Sequence, residues 1–311
     1  MEKAKTLVID TAVKNGNGEL SGVKILGLTS AEWIKLRLKR CFGNIVFSRR
    51  LKGDVTDPWD KPLLFDDDTV LRRDTFAYVE EKLRLWTLAE MRAAGVILRG
   101  SCIYADGTVT YESGAEIFSP CVITGNSHIS AGASVQPYCF LKDCFVGGGT
   151  TVRSTFADNA RIGARCEIGP FACLRPGSVV GDGCRVGDFV EVKNSSLGDG
   201  VKAAHLAYIG DAAVGGGTNV GCGTVFANYD GREKHRTTVG RNCFLGCNVN
   251  LVAPLTLGDG VFVAAGTTVT DDAGENSFVI GRSSQQPKRK KEKDGECRRS
   301  FFMPANNTPP V

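Results

Sequence analysis

From Ile162 onward a small aliphatic residue returns at every sixth position: Ile162, Ile168, Leu174, Val180, Val186 and Val192. A five-residue step carries the series to Leu197, Ala203 and Ile209, and a second leads to Val214, Val220 and Phe226. It resumes at Val239, Leu245, Leu251, Leu257, Val263 and Val269, and an earlier run, Ile123, Ile129, Val135 and Leu141, has the same period. Glycine follows many of these residues, as in Ile162-Gly163, Val180-Gly181 and Val220-Gly221. Antiparallel strands joined by glycine turns would alternate and be irregularly spaced. A six-residue period instead predicts a triangular prism of short strands and corners, three per coil, with the aliphatics stacked inside and glycines easing the turns. The expected fold is mainly β, a left-handed parallel β-helix over residues 97–284.

Ahead of the repeats, Phe76, Val79, Leu83 and Trp86 fall at helical spacing with Gly95 placed as a C-cap, which predicts a linker helix over 74–96 that covers the first coil. Residues 1–73 form a segment of uncertain fold: a strand at Thr6-Leu7-Val8-Ile9, a helix around Ser30 to Arg40 and a solvated acidic loop at Asp66-Asp67-Asp68. Residues 285–311 are a basic tail containing Lys288, Arg289, Lys290, Lys291 and Lys293, expected to stay mobile until something binds it. Such a run is read first as solvated, and second as a contact for a polyanion such as the phosphates of CoA.

Composition narrows the class. The chain of 311 residues is 42% hydrophobic and 23% charged, with a net charge of +4. No apolar run is long enough to span a bilayer and MEKAKTLVID has no signal-peptide pattern, so a cytoplasmic protein is expected, with no membrane or nucleic-acid partner. The 12 cysteines include no C-x-x-C, and His128, His205 and His235 form no metal-ligand pattern with them. Most are read as small buried hydrophobes, and no metal is expected.

Arg175 and Lys193 each follow a repeat residue, and 193 − 175 = 18 is three hexads, one full coil. Stacked strands lie about 4.8 Å apart, so two cations share one face. Like charges so placed repel, and the next coil offers only Gly210, so a bound anion is expected to reconcile them. The alternative is that both side chains splay into water. His205 is the only histidine inside the regular repeats that begin at Ile162 and lies near this pair by coil count, with Glu191 on the neighbouring coil to fix its tautomer. An imidazole, with an ordinary pKa of about 6.5, suits removal of a proton from an attacking amine. Residues 227–238 interrupt the period and are expected to project from a corner as a binding loop.

Several stretches together carry a resemblance: Arg175-Pro176-Gly177, Asp188-Phe189-Val190-Glu191-Val192-Lys193, His205-Leu206-Ala207-Tyr208-Ile209-Gly210-Asp211, Asn219-Val220-Gly221-Cys222-Gly223-Thr224, Asn228-Tyr229-Asp230-Gly231 and Leu251-Val252-Ala253-Pro254. Over roughly residues 76–286 the chain resembles the acetyltransferase half of the bacterial bifunctional glucosamine-1-phosphate acetyltransferase/N-acetylglucosamine-1-phosphate uridyltransferase. The resemblance implies acetyl transfer from acetyl-CoA to glucosamine 1-phosphate, in supply of UDP-N-acetylglucosamine for the cell wall, by a homotrimer with sites shared between subunits. It implies that Arg175, Lys193 and Lys234 hold the sugar phosphate, and that Tyr208, Asn219 and Asn228, with Tyr229 beside them, contact the amino sugar. His205 matches the general base and Glu191 its orienting carboxylate; Cys222, Cys247, Ala265 and Arg282 match the acetyl-CoA side. The family usually has Ser at Cys247 and Ala at Cys222, which weakens one hydrogen-bond partner. The Gly-rich phosphate loop of the uridyltransferase half has no counterpart in residues 1–73, so uridyl transfer is not expected.

The expected mechanism is direct acyl transfer without a covalent enzyme intermediate, with backbone amides near Cys222 or Cys247 stabilising the oxyanion. Two alternatives differ in class: a catalytically silent trimeric scaffold, or degraded copy of the bifunctional enzyme, and a zinc hydratase on the same prism, for which His128 and His235 are badly placed.

Overall fold

A computed structural model describes residues 84–282 apart from Trp86, residues 284–287, and six short strands between Thr6 and Ser48. Every repeat residue named above, from Ile123 to Val269, is 3% exposed or less. The strands pair in parallel from coil to coil, Ile162 on Val180 and Leu245 on Val263, in a parallel β-solenoid of about ten turns. The described coils run from Ile97–Arg99 to Phe278–Val279.

The register absorbs the irregularities of the sequence. Val192 lies on Ile209, 17 residues on, where the five-residue step shortens the coil. Phe226 lies on Leu251, 25 residues on, because the loop adds residues at a corner without displacing the strands either side. Two nine-residue strands, Arg185–Lys193 and Lys202–Gly210, continue around one such corner. The turn is made at Phe189 (φ 56°) and Leu206 (φ 32°), with Phe171 (φ 57°) one coil earlier. Left-handed backbone is uncommon for bulky residues; here it points all three outward and exposed, with the rings of Phe171 and Phe189 stacked at 5.6 Å.

The described part of the linker helix spans residues 84–93 and ends in a Schellman motif. Gly95 (φ 88°) donates to the Arg92 carbonyl at 3.0 Å and Val96 to that of Met91 at 2.9 Å. Leu88, Met91 and Val96 are buried. Phe76, Val79, Leu83 and Trp86 lie outside the described residues. The strand expected at Thr6 is present as Thr6–Asp10, paired in parallel with Asn44–Ser48. The helix expected around Ser30 to Arg40, Asp66-Asp67-Asp68 and the Lys/Arg run from Lys288 lie outside the described residues. A separate unit begins at Arg282. No helix among the described residues is long and apolar enough to cross a membrane.

Among the described cysteines, Cys121, Cys139, Cys144, Cys166, Cys184 and Cys243 are buried and Cys173 is half-buried. Cys102, Cys222 and Cys247 are exposed. No group of His, Cys, Asp or Glu among the described residues could hold a metal ion.

Candidate active site

Strand register builds the site on two sides of the Phe189/Leu206 corner. On one side, Asp188 pairs with His205 across adjacent coils and the imidazole Nδ1 lies 2.7 Å from Asp188 Oδ1. An ionised carboxylate can only accept, so in the neutral imidazole Nδ1 carries the proton and Nε2 keeps its lone pair. The hydrogen bond from His205 holds the Asp188 carboxyl below the usual carboxylate range. Glu191, expected to orient His205, does something else: its Oε1 accepts from Arg175 Nη1 at 2.8 Å. It lies beyond the corner from His205, opposite Tyr208.

On the other side of the corner three cations gather. Arg175 is held by Glu191, and Lys193 lies 3.7 Å from Asp211 Oδ2. Each of the stacked cations thus has its own carboxylate, which corrects the expectation of an unrelieved pair. Counting coil equivalents alone does not find these acids, since Glu191 reaches in from along the strand and Asp211 from the corner. Lys234 comes in from the loop, and the close approach of the Lys193 ammonium pushes its own below the ordinary lysine range. Of this pair Lys193 is the one that keeps its proton, held above the usual range with the help of the Asp211 carboxylate. Both lysines also feel the charge of Arg175. Three clustered cations facing two acids keep a net positive charge.

Tyr208 lies over Gly210, where a Cβ would come within 2.6 Å of the phenol Cζ; only glycine leaves room for the ring in that place. Asn228, 7% exposed, donates to Tyr208 Oη at 3.5 Å and also to Asp211 Oδ2. Burial pushes the Asp211 carboxyl up, but the amides of Asn194 and Asn228 and the charges of Lys193 and Lys234 bring it below its ordinary value. Asp211, like Asp188, is a residue of the candidate site that sequence reading passed over. Its signal was position: the first residue after Gly210, at a corner.

The projecting loop is better tied down than its sequence suggests. Asp230 Oδ1 accepts from the amides of Arg232 at 2.7 Å and Glu233 at 2.8 Å, and its Oδ2 takes His235 Nε2 at 2.7 Å. Tyr229 bridges back to Lys234, while its exposed phenol donates to the Gly231 carbonyl at 2.8 Å.

Register also aligns residues whose spacing along the chain is uneven. Ala203 lies on Val220, Val220 on Leu245 and Leu245 on Val263. Counting two residues on from each sets His205, Cys222, Cys247 and Ala265 in one column on successive coils. Asn219 lies three residues before Cys222, paired with Lys202 and Phe244 and outside the cation cluster. Arg282 belongs to the separate unit that begins there.

Residues 159–194 and 236–271 match the family described as bacterial transferase hexapeptide (six repeats). The chain is 47% identical over 198 residues to bifunctional protein GlmU of Nitratidesulfovibrio vulgaris (strain DP4), covering 61% of this chain and 44% of that protein. It is 40% identical over 234 residues to bifunctional protein GlmU of Geobacillus sp. (strain WCH70), covering 75% of this chain and 51% of that protein. The chain thus spans about half the length of the relatives it matches. Among solved structures, LpxA from Acinetobacter baumannii aligns over 50% of this chain and 67% of its own at 16% identity and a TM-score of 0.37.

Proposed function

On the premise that this chain is homologous over about 60–75% of its length to proteins named bifunctional GlmU, we propose that it is an acyltransferase. It moves the acetyl group of acetyl-CoA to the amine of glucosamine 1-phosphate. The observation that carries this reading is the division of labour around one corner. A cluster of Arg175, Lys193 and Lys234 suits a phosphate monoester, and an imidazole with a free Nε2 lies just across the turn. Only Leu206, at the turn, and Ala207 separate His205 from Tyr208, so the imidazole and the phenol flank one corner.

In this mechanism Tyr208 and Asn228 hold the sugar and the cations hold its phosphate. The amine attacks the thioester carbonyl while His205 Nε2 takes its proton, and the CoA thiolate leaves and recovers a proton from the imidazolium. Asp188 keeps Nε2 as the basic nitrogen. The column of Cys222, Cys247 and Ala265 leading away from His205 gives the extended arm of acetyl-CoA a straight track. The active form is a homotrimer, and the exposed apolar corner of Phe171, Phe189 and Leu206 supports burial against another copy. Sedimentation at micromolar concentration checks this; a monomer there counts against it.

The test is thiol release from acetyl-CoA with glucosamine 1-phosphate as acceptor. Release that needs both substrates and falls sharply with unphosphorylated glucosamine is expected. No release over the acetyl-CoA hydrolysis blank means the prism is a silent scaffold. UTP with N-acetylglucosamine 1-phosphate is expected to give no UDP-sugar.

A further inference from the structure

The corner residues Asn159, Gly177, Asn194 and Asp211 succeed one another on adjacent coils, all in left-handed backbone. Asn and Asp tolerate that conformation because their short polar side chains hydrogen-bond locally. Asp211 alone among them lies where the 227–238 loop leaves and re-enters the prism. Its carboxylate is 12% exposed and receives donors from three directions. Asn194 donates from the coil below at 2.6 Å, Asn228 donates from the start of the loop, and Lys193 lies at 3.7 Å on the cation face. Its backbone carbonyl also accepts the amide of Thr237, at the loop's far end, at 3.3 Å. The carboxylate is held ionised below its ordinary range despite its burial.

We propose that Asp211 is a positioning residue that fastens the 227–238 loop to the prism and thereby sets Asn228, Lys193 and Lys234 around the acceptor. One carboxylate touches a residue of the loop and a residue of the stacked coil, and its charge also acts on the loop's own cation, Lys234. Removing its charge frees Asn228 from its buried contact and leaves Lys193 and Lys234 to repel each other without a counterion. The sugar-phosphate side should then loosen while the His205–Asp188 pair, on the other side of the corner and anchored independently, is left in place. The role assigned to the acceptor rests on the proposed function; the fastening of the loop does not.

The test compares Asp211→Asn, Asn228→Ala and Asn194→Ala with the wild-type chain, by hydrogen exchange of the 227–238 amides and by thiol-release kinetics. Asp211→Asn and Asn228→Ala are each expected to speed loop exchange by about tenfold or more. Asp211→Asn should also raise the acceptor KM by about tenfold or more, with kcat and the acetyl-CoA KM within about threefold. Asn194→Ala removes the donor from the coil below and leaves the carboxylate, so loop exchange and acceptor KM should stay within about twofold. If Asn194→Ala reproduces Asp211→Asn, the aspartate serves only the corner and the proposal fails; unchanged loop exchange in Asp211→Asn also sinks it. Should Asp211→Asn not fold, unchanged exchange in Asn228→Ala is sufficient to reject it. Absence of thiol release by the wild-type chain refutes the proposed function instead, and loop exchange still decides whether Asp211 is the fastening.

Discussion

Two imidazoles in this chain each lie 2.7 Å from an aspartate, yet their surroundings give them different work. His235 and Asp230 are five residues apart within one loop, and Asp230 is already committed to two backbone amides. The imidazole there completes a turn. His205 and Asp188 come from different coils, stand at a corner where the backbone is left-handed on either strand, and carry no comparable load. His205 is also the more open of the two, with 59% of its side chain accessible against 29% for His235. A histidine–carboxylate pair is therefore no sign of chemistry by itself; what matters is whether the carboxylate has another job and whether the free nitrogen faces a place a substrate can occupy.

The sharpest way to break this comparison is to remove each imidazole in turn. His205→Ala is expected to lower kcat by about 10²–10⁴-fold with little change in acceptor KM, because a general base acts on the proton in flight. His235→Ala should leave kcat within about threefold. Equal losses in steady-state thiol release would show that both histidines serve the fold.

The next effect is on binding. Arg175→Ala and Lys193→Ala are each expected to raise the acceptor KM by about 10–100-fold, as loss of a charge-assisted contact to phosphate would. Because Glu191 or Asp211 then loses its cation, the apo protein should melt lower, not higher. A raised melting temperature would restore the picture of two mutually repelled cations.

Exchanging the carboxylates separates their roles. Asp188→Asn should reduce kcat by about tenfold, through loss of the tautomer that leaves Nε2 basic. Glu191→Gln should act on acceptor KM with kcat nearly unchanged. The reverse pattern would return the orienting role to Glu191.

The smallest effect is on stability against pH. Asp230 is depressed most strongly, by the amides of Glu233 and Arg232 and by His235. A carboxylate depressed in the fold contributes stability that is complete above its unfolded pKa of about 4 and is lost as pH falls through the folded value. The melting-temperature gap between the wild type and Asp230→Asn should therefore be present at pH 6 and narrow steadily below about pH 4. A gap that is constant down to pH 2 would mean that the charge plays no part.

The prism was legible because one buried aliphatic per six residues leaves no other packing solution, and even the five-residue steps kept register. The cation face was legible for the same reason, Arg175 and Lys193 being a coil apart. The partners of those groups were not. Asp188 stands 17 residues before His205, the length of the shortened coil, so register pointed to it while motif resemblance pointed to Glu191. Asp211 escaped because its side chain works along the corner, whereas the coil count stopped at Gly210. In the N-terminal segment, Asn44-Ile45-Val46-Phe47-Ser48 is a strand-like run that went unread for want of any repeat to flag it.

The extra residues between Phe226 and Leu251 leave the coils on either side in unbroken register. In such a stack each coil contacts only its neighbours, so an insertion at a corner is a change in the molecule's reach and hardly a change in its architecture. Length variation here is close to neutral for the scaffold, and under the proposed function it falls on the acceptor side. If the proposed function holds, the corner is the place where a lineage, or an engineer, would exchange one acceptor for another by rewriting a dozen residues and leaving every stacked aliphatic alone.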